Sequence, residues 1–382
     1  MPLFKKILSG DKKFLIMTLV ILALGLLFLA SASSVSGYRL HLDSYFFVKR
    51  QLFWIILGSV VFLMTASKPL ASWRGWGGFA LLGSFILLIM VFIPGLRAEF
   101  GTSRSWVQLG SSFLVFQPSE VVKLSFLIYL AAWLSSRAKL VHDLKQGVIP
   151  FFAVLGGIVL LLLLEPDTGS VIIIAATALG VYFLSGAPAK VLVATGAVAL
   201  LTLLLLMQFS QYRASRILTF LDSSRDPQGA GYHIQQSLIG LGSGGFFGLG
   251  LGKSRQKHLF LPRPEDDSIF SVIGEEMGFF VTAGFLVLLG FWLHRMYKIA
   301  QQAPPGFERN LVMGIVIWLT LQTFVNIGAM LSLVPLTGVT LPLVSYGGSS
   351  MLINLTALGM IYNVSRHYPL AETRGEKRES RR

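Results

Sequence analysis

Apolar runs of about 17–25 residues, the length that crosses a bilayer as a helix, recur along this chain between short polar, Gly- or Pro-bearing segments. The pattern predicts ten spans: Phe14–Ala32, Leu52–Ser67, Gly77–Ile93, Pro118–Ser135, Val148–Leu164, Gly169–Ser185, Ala189–Met207, Ile269–Leu293, Leu311–Leu331 and Leu341–Asn363. The second is short and flanked by Lys49, Arg50 and Lys68. The fold class is therefore an all-α polytopic membrane protein in one bundle, because a chain in lipid must satisfy its backbone polar groups internally. A segment 1–13 precedes a transmembrane domain 14–367, and a charged tail 368–382 follows. One long loop, Gln208–Ser268, separates spans seven and eight. The first apolar run is long and is followed by many more, so it reads as a retained span and not a cleaved signal peptide. Neither a fixed-period repeat nor an inverted pair of broken helices is visible.

Composition agrees with this pattern. Of 382 residues, 54% are hydrophobic and 13% charged, against about 25% charged in a soluble domain. The formal charge of +14 lies mostly in loops and tails, where orientation and anionic lipid headgroups account for it better than nucleic acid does. With both ends inside, the inner segments hold 19 Lys and Arg, counting Lys190 at the inner edge of the seventh span, and the outer segments 12, seven of them in the long loop. Long loops count little in the orientation rule, so both termini are expected in the cytoplasm, with the loop facing outward. The tail Thr373–Arg382 is expected to be disordered near headgroups. Cysteine is absent, which excludes disulfides, thiol catalysis and Cys-based metal sites.

Charge near an apolar phase needs a reason, and the segment Leu251–Phe280 concentrates it. A glycine-rich basic stretch leads through Pro262-Arg263-Pro264 to Glu265, Asp266 and Asp267, then into an apolar run that still carries Glu275 and Glu276. An Asp before a span is first an N-cap, worth about 1 kcal/mol. One suffices for that, and a second adjacent carboxylate raises at least one pKa and makes a better base. Glu275 lies about 12 Å deeper than Asp267, and Glu276 points nearly opposite to it. Glu120 and Lys123, three apart, share one helix face, as a packing pair or a functional one. Glu165 and Asp167 bracket Pro166 and suit a turn and cap. Arg104 and Trp106 fit an interfacial anchor or an anion clamp. The long loop holds Arg213, Arg216, Asp222, Arg225 and Asp226, then glycines from Gly240 to Gly252 that fit either an anion nest or a plain loop. Gly252-Lys253-Ser254 ends like a P-loop, but Phe247 stands where the first Gly is required. His233 and His258 are isolated, and no His/Asp/Glu group has metal spacing.

Several stretches together resemble one family. Arg104-Ser-Trp106 with Phe116-Gln-Pro-Ser-Glu120-Val-Val-Lys123-Leu is similar to its R-x-W…F-Q-P-S-E-x-x-K-L. Glu165-Pro-Asp167-Thr-Gly169 resembles its [QE]-P-D-x-G, and Asp226-Pro…Gly231-Tyr-His-Ile-Gln-Gln-Ser237 its D-P-x-G-x-G-Y-x-x-x-Q-S. Phe260-Leu-Pro262, Asp267-Ser-Ile-Phe270 and Gly274-Glu-Glu-Met-Gly278 resemble its L-P-x-x-x-x-D-F-I-F…E-E-L-G, with Ser268 in place of Phe. Val325-Asn-Ile-Gly328, Pro335-Leu-Thr-Gly338 and Leu341-Pro-Leu-Val-Ser-Tyr-Gly-Gly-Ser349 resemble its C-terminal pattern. The chain is thereby similar to the SEDS family (shape, elongation, division and sporulation), which includes FtsW, RodA and SpoVE. Gly248–Lys257 leans towards the FtsW/SpoVE branch, with RodA open.

The resemblance implies a peptidoglycan glycosyltransferase acting on lipid II outside the membrane, with ten spans. The family's essential outward acid maps to Asp267, and its functional Glu and Lys to Glu120 and Lys123. Substrate contacts are expected at Arg104, Trp106, Arg213, Arg216, Asp167, His233, Gln236, Ser237 and Ser345, the arginines bearing on pyrophosphate. The implied step is one inverting displacement with Asp267 as base. A divalent cation (Mg or Mn) bridging Asp267 and pyrophosphate is compatible with that chemistry, although no ligand set is evident. The family partner is a class B penicillin-binding transpeptidase. The runner-up is a lipid II flippase whose path Glu120, Lys123, Glu275 and Glu276 would line; a third class is a scaffold for division proteins.

Overall fold

The computed structural model describes residues 9–100, 103–108, 115–191, 193–197, 216, 218–223 and 226–370. Its helices are α1 Lys12–Ala32, α2 Ser34–His41, α3 Phe46–Ser67, α4 Gly77–Met90, α5 Pro118–Ser136, α6 Ile149–Leu164, α7 Thr168–Leu184, α8 Ala230–Ser243, α9 Ile269–Gln301, α10 Phe307–Met330 and α11 Gly348–His367. Among the described residues seven helices are long and apolar enough to cross a membrane, and α7 is a shorter apolar one. Most of the expected seventh span, with Arg213, Arg225 and both chain ends, lies outside the described residues.

The bundle's interior is one large apolar cluster, with Trp292, Trp318, Tyr182 and Tyr362 among its largest buried side chains. Lipid-type faces carry exposed Phe79, Leu82 and Ile86 on α4 and Ile56 and Val60 on α3. Such a distribution suits a bundle whose solvent is hydrocarbon, where apolar exposure costs nothing. At one end Asp11 caps α1 by accepting from Phe14 N at 2.8 Å, and it also pairs with Arg295 of α9 at 2.7 Å. Both members of that pair are nearly buried, so the start of α1 is fastened to the far end of α9.

The mostly helical fold agrees with an all-α polytopic membrane protein, and three expectations about span ends and continuity are corrected. Beside the helices, β1 Arg97–Phe100, β2 Ser103–Gln108 and β3 Val115–Phe116 form a small antiparallel sheet in the order β1-β2-β3. It docks on the α6–α7 turn, where Ser105 Oγ donates to the Glu165 carbonyl at 2.9 Å. The second span starts at Phe46, not Leu52. Lys49 and Arg50 were read as a boundary, but Lys49 reaches Asp43 at 2.8 Å and Arg50 lies over the Phe46 ring, so long side chains carry both charges outward along the first turn. The helix expected from Leu341, α11, begins at Gly348, because Leu341–Gly347 is a buried loop. Leu341, Leu343 and Val344 give it the hydropathy of a span, while buried Gln51 donates to Ser345 O and accepts from Gly347 N.

The largest correction concerns Ile269–Leu293, expected as one unbroken span. Helix α9 runs on to Gln301 and is broken at Gly278, whose φ of 72° is left-handed. A Cβ there would stand 2.2 Å from Gly248 N, so only glycine fits. The break frees backbone groups that must find partners away from water. The glycine-rich segment supplies them: Leu249 N donates to Glu275 O, Gly250 N to Glu276 O, and Phe279 N to Gly245 O, at 2.8–3.0 Å. Those glycines are therefore a splint for a broken helix, not an exposed anion nest. Glu275 accepts from Ser254 Oγ and Arg255 N. Glu276 accepts from Ser31 Oγ and Lys257 Nζ, at 2.6 and 3.1 Å. Although the two acids leave the helix in different directions, residues 254–257 wrap round to meet both.

Candidate active site

Asp267 is half-buried at the start of α9, but it does not cap the helix. The N-cap position is Ser268, and no side chain there satisfies the first turn. The capping reading of Asp267 is thus corrected, and its carboxylate is left for other work. Its backbone is held: Asn326 Nδ2 of α10 donates to Asp267 O at 2.8 Å and to Val339 O at 2.7 Å. This one amide ties the acid to the segment Gly338-Val339-Thr340. Gly338 has φ 71°, and a Cβ there would lie 3.9 Å from Asp267 Oδ2. A side chain at 338 would therefore grow towards the carboxylate.

The same segment walls a cleft of about 280 Å³ lined also by Gln117, Glu120, Lys123, Asp167, Ser170 and Ile173. Pro118 at the start of α5 sets Glu120 in the first turn and Lys123 one turn on. Lys123 Nζ donates to Glu120 Oε1 at 2.7 Å and to Gln322 Oε1 at 2.9 Å, and lies 5.3 Å from the centre of the Trp318 ring. Trp318 Nε1 also donates to Gln322 Oε1, and Gln322 Nε2 donates to Thr340 O. Glu120 Oε2 is buried with no hydrogen-bond partner among the described residues. Asp167 caps α7 through Ser170 N at 3.0 Å and also accepts from Ser119 Oγ and Gln117 Nε2. It combines the expected cap with a place in the cleft.

The remaining expected contacts divide. Arg216 donates to Leu336 O at 3.0 Å, close to the Gly338 segment. His233 Nε2 stands 2.6 Å from Ser268 Oγ. Gln236 is half-buried on α8, whereas Ser237 is buried and donates back to His233 O. Ser345 is buried and holds Leu341 N. Trp106 is half-buried in β2, facing Ala98 of β1. The Arg104 side chain and Arg213 lie outside the described residues. Sequence reading missed Gln322 and Asn326. Their signal was present: two amides four apart, hence on one face of an apolar span.

Electrostatics around Asp267 are uneven. Burial and the charges of Glu265 and Asp267 push Asp266 well above the usual carboxylate range. Glu265 is raised mainly by burial, and it accepts from Ser36 Oγ at 2.9 Å. Burial lowers His233, with the charge of Asp267 opposing and that of Arg216 assisting. Among the described residues no three His, Asp or Glu side chains converge as a resident cation would require. The described residues group no such ligand set, and no step below passes through a cation.

Beneath the docked sheet, Glu165 has both carboxylate oxygens buried and unpartnered among the described residues. Burial, then the charge of Asp167, raises it from 4.5 to about 9. The folded chain keeps this proton where the unfolded chain loses it, so stability falls as pH rises from 4.5 towards 9. Glu165→Gln is expected to flatten that decline, read as melting temperature in detergent across the same window. An unchanged slope would remove Glu165 as its source.

The arrangement is that of a polytopic membrane protein with an uncommitted acid beside a polar cleft at one end of its bundle. The family profile described as "Cell cycle protein", covering FtsW, RodA and SpoVE, matches residues 12–369, and the chain belongs to this family. It is 36% identical over 360 residues to stage V sporulation protein E of Bacillus subtilis, covering 94% of this chain and 98% of that one. It is 39% identical over 354 residues to the probable peptidoglycan glycosyltransferase FtsW of Thioalkalivibrio sulfidiphilus, covering 91% and 87%. RodA of Thermus thermophilus superposes with a TM-score of 0.67 at 28% identity, over 94% of this chain and 98% of that one. A chain from work on the coordination of polymerization and crosslinking by a peptidoglycan synthase complex superposes at 0.77, with 29% identity and coverage of 94% and 98%.

Proposed function

We propose that this chain polymerises lipid II into glycan strands at the outer face of a bacterial cytoplasmic membrane, with both termini in the cytoplasm. The observation that carries the reading is the Asp267 carboxylate: it is spared from capping α9 and faces the wall that it shares with the Glu120–Lys123 cleft. Relatives named as peptidoglycan glycosyltransferases support the reaction class. The excess of inner-loop Lys and Arg supports the orientation.

In this reaction the acceptor's sugar hydroxyl approaches Asp267 Oδ2. Its oxygen attacks the donor's anomeric carbon, and the carbon–oxygen bond to pyrophosphate breaks. The electron pair leaves with the lipid pyrophosphate, and the hydroxyl proton passes to Asp267. A positioned base contributes about 10²–10⁴-fold. Arg216, which donates to Leu336 O near the Gly338 segment, supplies positive charge to the departing group in this reading. Lys123 is already spoken for by Glu120 and Gln322, so its role is to hold Glu120, whose free Oε2 accepts from a sugar or peptide donor. The partner is a class B penicillin-binding transpeptidase, in keeping with the synthase complex among the structural neighbours.

The described residues do not favour the flippase reading. Glu275 and Glu276 are closed off with residues 254–257, and the cavity beyond Lys123 is mostly apolar, with Thr177 the polar exception among Phe126, Leu127, Leu130, Ile174 and Trp318. The test is purified protein with lipid II in detergent, where no sidedness exists. Glycan polymer is expected. Lipid II transport in vesicles with no polymer formed would overturn the reading.

A further inference from the structure

We propose that His233, acting through the Ser268 hydroxyl, is a positioning residue for the Asp267 carboxylate; the proposal rests on Asp267 being the base. Ser268 Oγ has no exposure and three polar neighbours: His233 Nε2 at 2.6 Å, Pro262 O at 3.1 Å and Asp267 Oδ1 at 3.5 Å. A hydroxyl has one proton to give. If Nε2 accepted that proton, the Ser268 oxygen would turn a lone pair towards the carboxylate. If Nε2–H donates instead, the serine proton is free to be shared between Pro262 O at 3.1 Å and the more distant but charged Asp267 Oδ1 at 3.5 Å, and charge favours the carboxylate. Only this second tautomer lets two donors, His233 and Ser268, line up in series on the accepting Asp267 carboxylate.

The two carboxylate oxygens then have different duties. Oδ1 is held from the Ser268 side, while Oδ2 faces Gly338, where the absent side chain leaves room for an approaching hydroxyl. The supporting residues sit on rigid elements. Helices α8 and α9 meet in a small core of Ile234, Phe270, Met330 and Leu336, one residue from His233 and two from Ser268. Position 268 is also where this sequence departs from the D-F-I-F pattern it otherwise follows. A phenylalanine there could not pass a hydrogen bond, whereas the serine of this chain can.

The experiment compares kcat and KM for lipid II polymerisation by the full-length chain in detergent, with a melting temperature for each variant. Ser268→Ala and His233→Ala are each expected to lower kcat about tenfold with KM nearly unchanged, as for a loosened catalytic group. The double variant is expected to be no slower than the slower single one, because the two residues act in series. His233→Gln keeps an N–H donor and is expected to recover most of kcat. Unchanged kcat in both single variants, losses that multiply in the double, or failure of His233→Gln to rescue a folded protein would overturn the proposal. A rise in KM alone would make His233 a substrate contact instead. Asp267→Asn is run alongside: if it keeps activity, the base reading itself falls, whereas a dead Asp267→Asn with silent His233 variants removes only the positioning role.

Discussion

Asp267→Asn is expected to fold normally and to polymerise lipid II about 10²–10⁴-fold more slowly. The substitution is nearly isosteric, and the acid makes no capping bond that the amide would lose. Its backbone carbonyl still accepts from Asn326. What disappears is the ability to take a proton from a sugar hydroxyl. Asp266→Asn is the natural companion. The Asp266 carboxyl, pushed upward by burial and two neighbouring acids, is not the one whose Oδ2 faces Gly338, and a change of less than about threefold is expected, as for a site outside the reacting group. Initial rates of glycan formation, normalised to folded protein, decide the matter. Equal losses in the two variants would show that the cluster acts through its summed charge and not through one base.

That contrast was only partly legible in the sequence. Two adjacent acids before a span gave no means of choosing between cap and base, and the register of the family pattern alone selected Asp267. In the folded chain the reason is local: Ser268 occupies the N-cap position, so neither acid is needed there. The apolar spans were legible because lipid demands long uninterrupted runs. The exceptions share one cause, which is that hydropathy reports burial and not conformation. Leu341–Gly347 is apolar because it is buried, yet it is a loop. Gly278 sits in a run that hydropathy joins seamlessly, yet its partner at the break, Gly248, lies in the preceding loop. A pairing thirty residues apart leaves no mark in a local window. Glu275 and Glu276 misled for the same reason: their partners Ser31 and Ser254–Lys257 come from elsewhere in the chain.

Lys123→Met is the second large effect, and here stability and activity are expected to separate. The substitution leaves Glu120, 6% exposed, as a buried carboxylate with no counter-ion. Breaking such a pair on one side costs about 3–5 kcal/mol, because the remaining charge stays desolvated. Glu120→Gln/Lys123→Met removes both charges and is expected to regain most of the lost melting temperature, since an uncharged pair of similar volume is often as stable. Activity should not return with it. Glu120 Oε2 is the cleft's unpartnered acceptor, and a neutral amide there cannot supply a carboxylate to the substrate. Gln322 keeps its bonds to Trp318 and Thr340 in either variant, so the cleft wall next to Asp267 stays in place. Melting temperature and polymerisation rate are read on the same detergent preparations. A double variant that recovers both would mean the pair only packs α5 against α10, and the cleft would lose its claim to the substrate.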